Sequence, residues 1–342
     1  MKKLILRAAL ALSLTVPVLL VQACGGGAGS AVPITSSTRQ PIVEYAVPTV
    51  GSLPAGITAG PDGALWFTES LGDKIGRITT SGTITEYPVP TPSSQPNGIT
   101  AGPDGALWFA ETQGGKIGRI TTQGSISEYP ATNNGSIVAG PDGALWFPEQ
   151  DAIGRITTDG TVTNFAVPDR INGVGDAITV GPDGALWVSC VRIGRRFPPT
   201  HKLARETITG GFTTAPENPH FCPQGIATGS DSALWWTVGT SIGRTSLDHQ
   251  VSEFSLPDAG ELNSANQIVA GPDGALWFTD DYTGPLPGPS NADKIGRITT
   301  AGVITEFPTP TQDSTPGGIT VGPDGAIWFT EANGDKIGRL SL

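Results

Sequence analysis

The stretch Gly60-Pro61-Asp62-Gly63-Ala64-Leu65-Trp66-Phe67 decides the architecture, because the chain returns to it seven times in all. Trp66 is matched by Trp108, Trp146, Trp187, Trp235, Trp277 and Trp328, at intervals of 42, 38, 41, 48, 42 and 51 residues. Behind each comes Ile-Gly-Arg, ending at Arg77, Arg119, Arg155, Arg195, Arg244, Arg297 and Arg339. After most of these stands Thr-Thr-x-Gly and then a phrase such as Ile84-Thr85-Glu86-Tyr87-Pro88. Each unit thus offers four short strand candidates: Gly-Ile-Thr, Ala-Leu-Trp-Phe-Thr, Lys-Ile-Gly-Arg-Ile and Ile-Thr-Glu-Tyr. Gly-Pro-Asp-Gly and Thr-Thr-x-Gly supply tight turns between them, Pro presetting φ and Gly accepting positive φ.

Four strands per repeat of about 40–50 residues is the period of a β-propeller blade. Helical repeats of that length need amphipathic runs of ten or more residues, and the chain has none. Ile42-Val43-Glu44-Tyr45 reads as a lone fourth strand, and Ile337 to Leu342 as a final third strand. The two ends complete one blade, so the expected fold is an all-β, seven-bladed propeller of four-stranded blades over residues 41–342, closed by its N-terminal strand.

Composition agrees. The 342 residues include 47 Gly and 30 Pro with only 15% charged residues, which argues against long helices, and the Gly has no collagen period. Eight Trp and 37% hydrophobic residues suffice for a core. Setting aside Lys2, Lys3 and Arg7 leaves 17 basic against 31 acidic residues, a net charge of −14. Such a surface repels phosphate backbones and excludes nucleic acid as a partner class.

Residues 1–23 have a basic head and an apolar run, Ala8 to Val21, too short for a comfortable span, and are expected to be a secretory signal peptide. Val21-Gln22-Ala23-Cys24 resembles the lipobox of bacterial lipoproteins. That resemblance implies a lipid on Cys24, a membrane anchor and a place in the bacterial cell envelope outside the cytoplasm. Residues 24–40, opening with a Gly-rich run, read as a flexible tether. The propeller itself is expected to be a monomer.

The innermost strand of each blade is taken to run from face X to face Y. The Y turns are short and alike, whereas the X connections vary, at Thr91 to Asn97, Asp169 to Ala177, Asp258 to Gln267 and Asp280 to Asp293. Variable loops on a rigid frame mark face X as the functional face. Features present in all seven blades read as scaffold. The tryptophans are inter-blade packing, the arginines blade-to-blade hydrogen-bond donors, and Asp62 and its equivalents turn residues, one carboxylate per turn being too few for a metal.

Three positions after the Trp stand Glu69, Glu111, Glu149, Asp280 and Glu331, with Cys190 and Val238 in the remaining blades. These carboxylates lie at face X, either ringing the channel mouth or paired with the hairpin lysine, as Glu69 with Lys74 and Glu331 with Lys336; the pairs are the expectation. Cys190 and Cys222 map to face X in neighbouring blades and are expected to form a disulfide; a catalytic thiol is the alternative. His220, in Pro219-His220-Phe221-Cys222, is the candidate base among three histidines, its alternative being an exposed loop residue.

The repeated Gly-Pro-Asp-Gly-Ala-Leu-Trp-Phe-Thr-Glu, with Asp-Lys-Ile-Gly-Arg-Ile-Thr-Thr and Ile-Thr-Glu-Tyr-Pro-Val-Pro-Thr-Pro, resembles the virginiamycin B lyase family from roughly Pro41 to Leu342. The resemblance implies ring-opening elimination at the ester of a cyclic depsipeptide, with magnesium. In that family a base and a second histidine stand in Pro-His-Gly-Ile or Pro-His-Ala-Ile phrases before the innermost strands of the last two blades. Here Gly317 takes the base's place and Asn266 that of the second histidine. Thr315 replaces a metal-binding glutamate, while Glu331 keeps the counterpart of the other. Two functions follow as expectations: a streptogramin-lyase-like enzyme, or a non-catalytic envelope propeller binding a small cyclic peptide, glycan or protein through face X, with the insertion Asp281 to Pro287 at hand.

Overall fold

In a computed structural model, the structure describes residues 42–133, 135–167, 175, 177–193, 200–209, 211–214, 223–257, 263–289 and 292–342. The segment expected to hold the signal peptide, Cys24 and the tether lies outside the described residues, as do His220 and Cys222. Seven antiparallel four-stranded sheets form the blades. Blade 1 is a meander of inner strand Pro54–Ala59, second strand Leu65–Glu69, third strand Lys74–Ile78 and outer strand Ile84–Pro88. Blade 7 joins Pro316–Val321, Ile327–Glu331 and Lys336–Leu340 to Ile42–Ala46 as its outer strand, so the chain ends close the ring. Inner strands of neighbouring blades contact one another all the way round. The expected seven-bladed propeller is the observed fold.

The repeated Trp, Asp and Arg form one unit. Asp62 accepts the Trp66 indole N–H at 3.0 Å on one oxygen and the Arg77 Nε–H at 2.7 Å on the other. Arg77 also lies over the Trp66 ring, 5.9 Å from its centroid, while Tyr87 stacks on that ring at 5.6 Å. The hydrogen-bonded Trp–Asp–Arg set recurs in every blade, with Asp104, Asp142, Asp183, Asp231, Asp273 and Asp324 as acceptors, and the ring contacts recur around Trp108, Trp146, Trp235, Trp277 and Trp328. The arginines therefore bind the turn of their own blade rather than bridging blades. The geometry is local: Arg77 is the direct cross-strand partner of Trp66, whose edge meets the turn.

The tryptophans pack between blades, as expected. Trp328 of blade 7 joins Leu65, Phe67 and Ile78 of blade 1 in a single apolar cluster. All seven are 3% exposed or less. Each buries an area worth on the order of 5 kcal/mol.

Blade 4 departs from the reading of the sequence. Its second strand runs on from Leu186 to Ile193 past a bulge between Val188 and Val191, and pairs with a third strand at Thr200–Glu206. Arg205, not Arg195, stands opposite Trp187 and bonds Asp183. The longer hairpin displaces the Ile-Gly-Arg phrase from the strand that its spelling suggests. In blade 6 the inner strand begins at Asn263, so much of the connection expected at Asp258 to Gln267 is strand.

Two glycines show what fixes the repeat. A Cβ on Gly76 would lie 2.1 Å from the buried Phe67 ring, whereas Gly63 has φ +74° with open space around a Cβ. Gly76→Ala is therefore expected to cost roughly 3 kcal/mol through forced repacking. Gly63→Ala is expected to cost about 1 kcal/mol through left-handed backbone alone. Denaturant titration of both variants checks the order; a larger loss at Gly63 would contradict it.

Candidate functional site

Face X is built from the loops that enter each blade. The loop before blade 1 is clamped by its neighbours: Asp335 of blade 7 accepts the amides of Gly51 and Ser52, and Glu86 of blade 1 accepts the Thr49 amide and hydroxyl. Lys74 binds this same Glu86 at 2.7 Å. The latch repeats as Lys116 with Glu128 and Thr91, and as Lys336 with Glu44 and Thr311. Blade 6 keeps the ion pair of Lys294 with Glu306 at 3.0 Å.

The expected pairs of Glu69 with Lys74 and Glu331 with Lys336 give way to pairs with the outer strand. Glu69 stands directly across the strands from Lys74, yet the ammonium reaches outward to Glu86 on the more exposed outer strand, where it keeps part of its hydration. Glu69, Glu111 and Glu331 are fully buried, and none of their carboxylate oxygens has a hydrogen-bond partner. Glu149 and Asp280, at the same strand position, are also buried. Four of them sit on second strands and Glu149 directly follows one, and none of the five lines the central channel.

Electrostatics follow burial. Loss of water pushes Glu69 and Glu111 up to about 7 and Glu331 up to about 8, with Glu86, Glu128 and Glu44 respectively adding like-charge repulsion. Burial likewise raises Glu206 and Asp281 to about 7. In the turn aspartates burial is outweighed: the Trp66 and Arg77 bonds hold Asp62 below the usual carboxylate range.

Magnesium requires a near-octahedral oxygen shell, commonly with one or two carboxylates. The acidic neighbours of Glu331 are already engaged, Glu44 with Lys336 and Thr311, and Asp293 with the amides of Tyr282 and Thr315. The Thr315 hydroxyl accepts from Asn333. Among the described residues no group of three His, Cys, Asp or Glu could hold a metal ion. The donor set around Glu331 does not fit magnesium.

The central channel opens into a cavity of about 380 Å³ to which every blade contributes. Its walls are isoleucines such as Ile57, Ile99 and Ile319, with backbone of the adjoining glycines. The polar side chains among its described lining are Asn97, Ser136, Gln224, Asn266 and Gln267, none of them charged. Asn97, Gln224 and Gln267 are exposed, and Gln267 donates to the Gln224 carbonyl at 3.0 Å. A threonine relay aims this layer. The Thr68 hydroxyl accepts the Gly56 amide and donates to the Asn97 carbonyl of the next blade at 2.6 Å. Thr237, Thr279 and Thr330 repeat the bridge to Asn266, Gly317 and Ala55. In the sequence the residue two places before each inner-strand Ile is the variable element, reading Ala55, Asn97, Gly135, Asp176, Gln224, Asn266 and Gly317 across blades, of which Asp176 lies outside the described residues. That position breaks the repeat in the sequence, and it places the amides of Asn97, Gln224 and Asn266 at the mouth.

Gly317 is a gap rather than a constraint. A Cβ there would meet the Thr330 hydroxyl at 3.2 Å and the Ala55 carbonyl at 3.8 Å, and its φ is not left-handed. Of the other predicted residues, Cys190 lies in the extended second strand of blade 4, and its expected partner Cys222 is outside the described residues.

The sequence model of the Virginiamycin B lyase family matches residues 32–136 and 198–342. A virginiamycin B lyase of Nocardia farcinica is 32% identical over 107 residues, covering 31% of this chain and 34% of that relative. Selenomethionine-substituted virginiamycin B lyase from Staphylococcus aureus superposes with a TM-score of 0.75 at 35% identity, over 88% of this chain and 99% of that one. A catalytically inactive histidine-to-alanine variant of the Staphylococcus aureus enzyme, solved with quinupristin, gives 0.73 at 34% identity over the same shares.

The buried carboxyls set a pH dependence. A carboxyl whose folded pKa is raised holds its proton longer in the native state, so stability falls between the unfolded value near 4.5 and the folded values of about 7 to 8. The turn aspartates, with lowered values, act only below that window. Thermal melts are expected to weaken from pH 5 to pH 8, and Glu69→Gln combined with Glu111→Gln to flatten the decline. A double variant as steep as the parent would contradict this assignment.

Proposed function

The chain belongs to the virginiamycin B lyase family, and within it we propose a binding propeller that holds a neutral, peptide-like ligand at the channel mouth without breaking it. The observation that carries this reading is the amide-lined mouth with Gly317 in it. Elimination beside a carbonyl needs a positioned base whose pKa lies near neutrality. The described mouth offers amides, a serine hydroxyl and backbone, which hydrogen-bond a neutral ligand but do not remove a carbon-bound proton at neutral pH. Apolar walls and a few convergent polar groups suit ligand binding in a cavity of this size.

Cyclic peptides are the leading ligand class, because a relative sharing this fold was solved with quinupristin. Glu331 remains from the lyase pattern, but its burial and unpartnered oxygens leave it without access to a substrate. The leader-like segment and Cys24 support an exported protein held at the cell envelope by a lipid, with the propeller as its soluble part.

Incubating the full chain with magnesium and quinupristin is expected to leave the peptide ring intact by mass spectrometry. Calorimetry is expected to show saturable binding, weakened about tenfold when Gln224→Ala and Asn266→Ala are combined. A linear product would restore the lyase reading, and a neutral oligosaccharide binding in place of the peptide would move the ligand class to glycans. In cells, Cys24→Ser is expected to shift the protein from the membrane to the soluble fraction; unchanged fractionation would exclude the lipid anchor.

A further inference from the structure

Blade 3 lacks the face-X latch, and a second cavity lies beside the position the lysine would hold. In blades 1, 2 and 7 a lysine opening the third strand binds a glutamate of the outer strand and a threonine of the entering loop. In blade 3 the residue opening the third strand is Ala152. The outer-strand residue opposite its glycine, Asn164 across from Gly154, replaces the Glu86 that stands across from Gly76. The hairpin is also tighter, with Ala152 three positions after Glu149 where Lys74 is five after Glu69.

Where sister blades place a lysine side chain, blade 3 has a cavity of about 440 Å³, lined by Thr112, Thr132, Glu149, Gln150 and Asp151 among others. It shares no lining residue with the central channel. Glu149 is 7% exposed; one oxygen accepts the Asn164 amide at 3.0 Å, and the other has no hydrogen-bond partner. The Thr112 hydroxyl on the same wall is buried and also unpartnered. Burial pushes the Glu149 carboxyl above its ordinary value, against the opposing hydrogen bonds of Thr132 and Asn164.

We propose that this cavity binds an alkylammonium group, such as a lysine side chain of a peptide or one end of a polyamine, in the place of the missing lysine. An ammonium carries three N–H donors and no acceptor. Glu149 and Thr112 supply two unused acceptors, Asp151 or Gln150 supplies a third, and a volume of about 440 Å³ leaves room for an aliphatic stem. A divalent metal needs six or more oxygens at short range, and among the described residues no group of three His, Cys, Asp or Glu is placed to hold one. The site therefore favours an ammonium over a metal ion.

Cadaverine is the probe, titrated calorimetrically into the full chain. One molecule per chain is expected to bind. Glu149→Gln, close in shape to the parent and checked by circular dichroism, is expected to weaken binding at least tenfold. Ala152→Lys is expected to fill the cavity with its own ammonium and abolish cadaverine binding without lowering the melting temperature. Absence of cadaverine binding to the parent, or undiminished binding to either variant, overturns the site. Displacement of cadaverine by calcium at a tenfold lower concentration overturns the ammonium assignment.

Discussion

The aspartate of the Gly-Pro-Asp-Gly turn is the constraint on which the ring depends. Asp62 accepts an indole N–H and a guanidinium N–H on separate oxygens, so one carboxylate fixes the turn, the Trp rotamer and the third strand together. A Trp packed between blades needs a partner for its N–H, since an unsatisfied donor would cost about 1–3 kcal/mol. The Arg that lies against the ring keeps the carboxylate ionised and completes the sandwich with Tyr87. Each blade therefore presents a rigid aromatic edge to its neighbour, and seven such edges define a closed circle whose inner strands have no freedom to move apart.

What the sequence made legible was whatever had to recur. Trp, Asp and Gly keep their spelling because each blade solves the same packing problem, and the closing strand at Ile42–Ala46 followed from counting strands at the two ends. Partner choice was less legible. Glu69 and Lys74 are close in sequence and face each other across a hairpin, yet solvent access decides the pairing, and Lys74 goes to Glu86 on the outer strand. Blade 4 shows the same limit for register. Its Ile193-Gly194-Arg195 is spelled like a third strand, but the bulge after Val188 lets the second strand run on, and Arg205 takes the aspartate.

The candidate site lay in the opposite kind of signal. At the channel mouth the backbone is held by threonine bridges that do not involve the side chain of the bridged residue. A side chain at that position touches few scaffold atoms, so Ala55, Asn97, Gln224, Asn266 and Gly317 are interchangeable as far as the ring is concerned. Sequence reading recovered Asn266 and Gly317 through the family resemblance alone; Asn97 and Gln224 emerge only when the seven inner strands are superposed.

The same separation explains how a propeller changes its chemistry without changing its fold. A residue in the Trp–Asp–Arg unit is coupled to the turn, the strand pairing and the next blade, and its loss is felt in all three. A residue at the mouth is coupled to the ligand and to little else. The latch stands between these extremes: it ties the entering loop in blades 1, 2 and 7, yet blade 3 closes without it, because Asn133 holds the shortened loop by donating to the Lys116 carbonyl at 2.9 Å and accepting the Gly135 amide. Where backbone anchors of that kind suffice, the lysine becomes dispensable, and the space beside Ala152 is left open.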